Sequence, residues 1–485
     1  MTYAIEEGRR LRFLSGTEET MKNFIDNDIY TIGLGGMFAT GNTPLSNSAF
    51  HLVLDRIQQK YEILNVSILD DKSCNRFYFQ TLKNDEVAEI KVLDDMTLHE
   101  FQEFFKDSVH KGIGRDNLQW RALLTRLSDH HLCANNNYVY GMCVIVSHAI
   151  LDGVGLMTIA NDCFGLMDYY LCNGELPEFD NNIVKLAPPY ESVVPEAKFI
   201  APIHFVLKLI AFISRWSFRH GYMPVRHTIF QLPRCRPVFL DDSSVPPKSG
   251  MQMISLTCEK LEQLKNFKRE HKLSFTSLLM SVLATAFAKF AYQSSQWPST
   301  SFAFQIPRDP RPYFKNKADL ETTVANYIGS CLVYYLRMKS VNSKTIAQYV
   351  VEMSKRITKD LNTKVKQLEF IKASHYWIAT MRSRKFVKRM VEVASNDRKN
   401  CGRFCMFMLS NVGVMDFPQE SDFRMSELFA IADQARCGDC INNFVITVRN
   451  RMCWTMNYPI HIFDDDRMME LKNEIYEIFN LLLTP

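Results

Sequence analysis

The residues from 147 to 155 read Ser147-His148-Ala149-Ile150-Leu151-Asp152-Gly153-Val154-Gly155, which puts an imidazole, a carboxylate and two glycines in one short string. A histidine is the usual choice for taking a proton near neutral pH. Its unperturbed pKa of about 6.5 lets a neutral imidazole accept from a hydroxyl, an amine or a thiol. His148 is therefore the candidate general base. Asp152 is either a second acid–base group or a residue that holds the loop by pairing with a cation elsewhere, and the structural role is preferred. Gly153 and Gly155 open backbone conformations closed to other residues and let a ligand approach the main chain. As a bare pattern, H-x-x-x-D-G also fits a hydrogen-bonded histidine in an ordinary strand-to-helix loop, so its surroundings have to decide.

The elements that position this string are legible. Tyr138 to Val146 is β-branched, aromatic and small, which predicts a buried strand ending at the histidine. From Val154 to about Leu171, the residues Leu156, Ile159, Ala160, Phe164 and Met167 recur at helical spacing. Strand, tight loop and helix thus follow one another, and such a loop holds a base rigidly. Upstream, a helix over Phe50–Lys60, a strand near Asn75–Thr81 and a helix around Leu98–Ser108 give a mixed α/β pattern. Between Asn173 and Gly250 the pattern breaks, and ten of the 18 prolines fall there, marking a crossover. Regularity returns with a strand at Met251–Thr257, a helix at Leu261–His271 and a long apolar helix at Phe275–Tyr292. At 485 residues, two domains of roughly 200 residues are expected. The boundaries are read as residues 1–185, a basic and proline-rich crossover at 186–250, and residues 251–485.

Composition is ordinary globular, with 47% apolar and 23% charged residues, and the net charge of +4 is too small to imply nucleic acid as a partner. The first residues lack a basic segment followed by an apolar one, so an intracellular, cytoplasmic protein is expected, with its 13 cysteines as free thiols. Cys401, Cys405, Cys437 and Cys440 have spacings that a four-thiolate zinc site could use, but their neighbours Phe404, Met406, Phe407 and Met408 suggest a buried strand. Cysteine there is a small hydrophobe, and no metal is expected. Within the crossover, Lys198, Lys208, Arg215, Arg219, Arg226, Arg234 and Arg236 occur with no acidic residue between Ala197 and Leu240. They flank an apolar stretch from Ile203 to Phe218. This reads either as an interfacial helix on an anionic membrane, such as endoplasmic reticulum or a lipid droplet, or as a core helix whose cations reach outward. The amphipathic segment Met468–Leu483 is expected to dock on the protein's own sheet. His130-His131 reads as a solvated turn, and Ser147 as structural.

With these features in place, the chain resembles the CoA-dependent acyltransferase superfamily, which includes chloramphenicol acetyltransferase and the condensation domains of peptide synthetases. The segment Phe302-Ala303-Phe304-Gln305-Ile306-Pro307-Arg308-Asp309-Pro310-Arg311 looks like that group's strand and arginine-bearing turn. Asn326-Tyr327-Ile328-Gly329 looks like the N-[FY]-x-G segment after it, and His271 to Leu279 looks like the opening of the long second-domain helix. The fungal alcohol O-acetyltransferase family is the nearest resemblance, through S-H-x-x-x-D-G and Leu409-Ser410-Asn411-Val412-Gly413. The D-F-G-W-G of plant members is missing, since Asp416-Phe417 lacks the glycine and tryptophan.

The resemblance implies an α/β fold of two chloramphenicol acetyltransferase-like mixed-sheet domains with the active site in a tunnel between them. It implies acetyl-CoA as co-substrate, an alcohol as acceptor and an acetate ester as product, in a monomer. An N-acetyltransferase acting on a sphingoid-base-like long-chain amine is the alternative, and a non-catalytic lipid-surface protein a third. Carried over by position, His148 is the general base in the loop with Asp152 and Gly153, and Asp152 pairs with Arg308, or else with Arg311. Ser410 or Asn411 supplies the oxyanion donor. Arg382, Arg384, Lys385, Lys388 and Arg389 are candidate CoA phosphate partners, or simply a solvated helix face.

Overall fold

The structure, a computed structural model, describes residues 8–82, 84–113, 118–129, 138–178, 182–194, 212–213, 216, 247–294, 297–315, 323–327, 331–338, 345–397, 401–416 and 423–483. Most of the crossover, including all seven lysines and arginines from Lys198 to Arg236, therefore lies outside the described residues, as do His130 and His131. Of the apolar stretch only Phe212, Ile213 and Trp216 are described, and all three are exposed.

In the first half the strands are β1 (Arg10–Phe13), β2 (Thr31–Ala39), β3 (Val66–Asp71), β4 (Arg76–Thr81), β5 (Ala88–Val92), β6 (Trp120–Arg126) and β7 (Val139–Ser147). The second half supplies β8 (Ser249–Leu256), β9 (Thr300–Pro307), β10 (Cys331–Met338), β11 (Phe407–Met415), β12 (Arg424–Ala432), β13 (Ile441–Val448) and β14 (Arg451–Pro459). They form a small sheet β1-β4-β3, a five-stranded sheet β12-β2-β7-β6-β5 and a six-stranded sheet β10-β9-β11-β13-β14-β8. Both large sheets are mixed: β5 runs parallel to β6, and β11 runs parallel to β9 and β13.

Helix starts are set by capping. The first-half helix runs from Asn47 to Lys60, three residues earlier than the apolar spacing suggests, because the Ser46 hydroxyl accepts from Ala49 N at 3.1 Å. The Cys258–Glu270 helix likewise begins after Thr257, which accepts from Lys260 N. Phe275–Tyr292 is the one helix among the described residues long and apolar enough to cross a membrane, yet 78% of it is buried. It forms the second-half core, where the Phe287 ring meets Phe302 and Phe407 edge-on at 5.4 and 5.2 Å. The C-terminal helix Asp465–Leu483 packs on this helix and on β8 through Met468, Leu471, Ile475 and Phe479.

One feature has no counterpart in the sequence reading: β12 leaves its own half and pairs antiparallel with β2, as the edge of the first-half sheet. A central residue of the crossing strand, Phe429, is fully buried against Phe105 at 5.3 Å and Phe101 at 6.4 Å. Gly35 makes room for it, since a Cβ there would lie 2.3 Å from the Phe429 ring. Phe429→Ala is expected to cost about 3–5 kcal/mol of stability in urea unfolding, because it empties the seam that joins the two halves. A loss below about 1 kcal/mol would show that the crossing strand is held elsewhere.

Candidate active site

β7 ends at Ser147, and the chain turns through His148–Ile150 before the helix Gly153–Asn173 begins. Ser147 is buried and closes this turn, its carbonyl accepting from Ile150 N at 3.0 Å. His148 Nδ1 lies 2.7 Å from the Leu151 carbonyl oxygen. A carbonyl can only accept, so Nδ1 carries the proton and the neutral ring keeps its lone pair on Nε2. Burial pushes the imidazole below its ordinary value, partly offset by the Leu151 contact and the charge of Asp152. The tautomer and the neutral state are those a base requires.

Asp152 caps that helix through Gly155 N at 2.8 Å. Its carboxylate also receives Arg311 Nη2 at 3.1 Å on Oδ1 and 3.0 Å on Oδ2, and Tyr327 N at 2.9 Å on Oδ2. The ordering of the two candidate arginines is thereby corrected: Arg311 meets Asp152, and Arg308 is exposed. A short 3-10 turn at Arg311–Tyr313 turns the second arginine inward, where it is 1% exposed and also binds Asp309 and the carbonyls of Thr323 and Ala325. With its oxygens occupied in this way, Asp152 is a positioning residue. Asp152 N donates to Ala325 O at 3.1 Å, and Asn326 Nδ2 donates to the His148 carbonyl at 2.5 Å. The strand-to-helix loop of one half is therefore bonded to residues 323–327 of the other. Gly155 permits this approach, as a Cβ would sit 3.2 Å from the Ala325 carbonyl oxygen. Gly153 has an ordinary φ and open space beside it, and it faces the cavity.

That cavity, of about 270 Å³, lies between the two large sheets, and its wall includes His148, Gly153, Tyr30, Gln305, Trp377, Ser410 and Gln434. Among the described residues, no Asp, Glu, Lys or Arg lines it. Along β11 the alternation of side chains puts Met408, Ser410 and Val412 on the cavity wall. Asn411 therefore points away, is exposed and donates to Thr276 Oγ1 at 3.4 Å. Of the two oxyanion candidates, only Ser410 reaches the cavity. Tyr30, Gln305, Trp377 and Gln434 escaped sequence reasoning because they come from four separate segments with no shared motif.

Arg382 and Arg384 do not reach the cavity. They line a separate pocket behind the Gly16–Ile25 helix, where Arg382 pairs with Glu19 and Arg384 makes two bonds to Asp70 at 2.6 and 2.8 Å. Lys385, Lys388 and Arg389 are exposed along the Arg384–Ser395 helix, as a solvated face would be. Cys401 lies in a turn and Cys405 in the irregular segment just before β11, instead of within a strand. Burial pushes the Cys437 thiol up to about 12 and that of Cys401 to about 11, so both stay protonated at neutral pH. Among the described residues, no three metal-ligating groups converge.

Beneath the cavity, burial drives the Asp439 carboxyl up to about 7, with the nearby charge of Arg403 acting against the shift. An unfolded aspartate titrates near 3.9, so between about pH 4 and pH 7 the folded chain holds a proton that the unfolded chain has lost. Stability from this group should therefore fall as the pH rises through that window. Asp439→Asn is expected to flatten that decline when unfolding midpoints are compared from pH 4.5 to 7.5. An unchanged slope would mean that Asp439 is ionised throughout.

A model of the alcohol acetyltransferase family matches residues 177–483. No curated protein matches the chain in sequence. Among solved structures, the trichothecene 15-O-acetyltransferase of Fusarium sporotrichioides is similar with a TM-score of 0.68 at 11% identity, covering 98% of this chain and 95% of that one. Polyketide synthase associated protein 5 of Mycobacterium tuberculosis gives 0.58 at 10% identity, over 98% and 99% of the two chains. The condensation domain of the monacolin K polyketide synthase gives 0.56 at 12% identity, over 99% and 98%. These likenesses establish the two-domain, mixed-sheet fold of the acyltransferase and condensation-domain group. Since the family model spans well over half of the sequence, the chain belongs to the alcohol acetyltransferase family and is an acyltransferase.

Proposed function

We propose that the protein transfers an acetyl group from acetyl-CoA to a neutral alcohol, giving an acetate ester and free CoA, with His148 as general base. The observation that carries this reading is the Nδ1–H contact to Leu151 O, which leaves a neutral Nε2 at the wall of a cavity whose described lining carries no charged side chain. Nε2 takes the proton of the acceptor hydroxyl as its oxygen attacks the thioester carbonyl. The carbonyl electrons move onto oxygen to give a tetrahedral oxyanion, with Ser410 Oγ–H as the candidate donor to it. When the carbonyl re-forms, the C–S bond breaks, and the imidazolium returns its proton to the departing thiolate. The apolar lining suits an acyl group and an alkyl acceptor, while the phosphates of CoA would remain outside it. At about 270 Å³ the space is near the lower end of small-molecule pockets, roughly 300–1,000 Å³.

The same lining favours an alcohol over a long-chain amine. An alkylamine is protonated near neutral pH, with a pKa close to the lysine value of about 10.4. It would enter a site with no carboxylate among the described residues of its wall, where an unpaired buried charge is strongly disfavoured. A base held below 6.5 is also poorly matched to an ammonium. A non-catalytic role leaves the pinned tautomer without a purpose.

Thiol release from acetyl-CoA should be followed with purified protein, an alcohol panel and a long-chain amine. The alcohols should turn over faster, and His148→Ala should lower the rate by about 10²–10⁴-fold. The base must be neutral, so kcat/KM should be flat above pH 7 and fall on acidification, with a midpoint below 6.5. Equal turnover by the alanine variant would remove the base assignment, and preference for the amine would reverse the choice of acceptor.

A further inference from the structure

The loop between β12 and β13 carries Gln434, which is 3% exposed and lines the cavity. Its Oε1 accepts from Asp439 N at 2.8 Å. A backbone N–H can only donate, so the amide cannot be reversed, and both Nε2 hydrogens are left for the cavity. The loop is built to hold this side chain. Gly438, at φ +151°, lies so close that a Cβ would stand 2.3 Å from Gln434 Oε1. Arg403 is fully buried and donates to the carbonyls of Gln434, Ala435 and Asp439 at 2.8, 2.9 and 3.1 Å. The preceding residue, Asp433, exchanges backbone bonds of 2.8 Å with Tyr30 and Thr31. Thr31 in turn pairs with Ser147, beside the base. Gln434 and His148 thus follow the ends of β12 and β7, the two strands that flank β2. Strand spacing puts their backbones about 10 Å apart, both facing one ligand space.

In a largely apolar wall, a fixed amide donor is a selective element. A hydrocarbon chain packed against it would strip it of water and give nothing back, whereas a ligand oxygen at that place would satisfy it. We propose that Gln434 binds a second oxygen of the acceptor, so that the site prefers alcohols carrying a hydroxyl, ether or carbonyl oxygen a few atoms from the reacting hydroxyl over simple alkanols of the same length. This rests on the alcohol acetyltransferase reading. Carbonyl oxygens of the acyl donor share the same chemistry, and the two sources separate by which substrate's KM responds.

The test compares a diol with the matched mono-alcohol in the wild-type protein and in Gln434→Leu and Gln434→Glu. The glutamate variant keeps an oxygen to accept from Asp439 N while its ionised form removes both donors, and thermal unfolding reports whether the loop is intact. The expected result is a KM for the diol raised about tenfold in both variants, with the mono-alcohol and acetyl-CoA values little changed. Equal losses for diol and mono-alcohol, a change confined to the KM of acetyl-CoA, or no change in a folded variant would each overturn the proposal. Calorimetric binding of the diol and mono-alcohol to His148→Ala, with and without Gln434→Leu, gives a readout that needs no turnover. A diol preference lost on changing Gln434 there, in a protein that turns over no alcohol, would sustain the binding role and sink only the reaction.

Discussion

The buried ion pair between Asp152 and Arg311 is the constraint on which the site depends. Two charges are removed from water, and what makes this tolerable is that the carboxylate also accepts from Gly155 N and Tyr327 N while the guanidinium also donates to Asp309 and to two carbonyls. Deleting one partner from such a pair leaves the other uncompensated, at a cost of about 3–5 kcal/mol. The pair closes the joint between a loop of the first half and residues 323–327 of the second. Asn326, within that segment, holds the carbonyl of the histidine itself. The orientation of His148 is thus an inter-domain property.

This arrangement divides the labour of the H-x-x-x-D-G string. Burial favours a neutral His148, the state the proposed base requires, while the Asp152 carboxylate is held by Gly155 N, Tyr327 N and Arg311, as suits a positioning role. The crossing of β12 into the first-half sheet works to the same end from the opposite side of β2. It carries the Arg403-centred loop under the cavity and brings Gln434 to its wall. Two stitches, one ionic and one a shared strand, therefore frame the cavity that His148 lines.

Local chemistry was legible in the sequence. The strand before His148, the helix after it and the Phe275–Tyr292 core helix follow from residue type and spacing. What escaped depends on three-dimensional phase. Arg308 and Arg311 share one turn, and only the 3-10 geometry after Pro310 decides which side chain faces inward. Ser410 and Asn411 are neighbours on a strand, where consecutive side chains point to opposite faces, so either could have met the cavity. The strand exchange by β12 is a pairing between distant residues with no local mark, and Gln434 becomes visible only through it.

A double-mutant cycle with Asp152→Asn, Arg311→Met and their combination, read in both kcat/KM and unfolding free energy, tests the central claim most directly. Asparagine keeps a helix cap at residue 152, so the cycle isolates the charge pairing. The double variant should be no more impaired than the worse single variant, which corresponds to a coupling of about 1–3 kcal/mol in both readouts. Losses that simply add, or an Asp152→Asn protein with full activity and stability, would contradict the account.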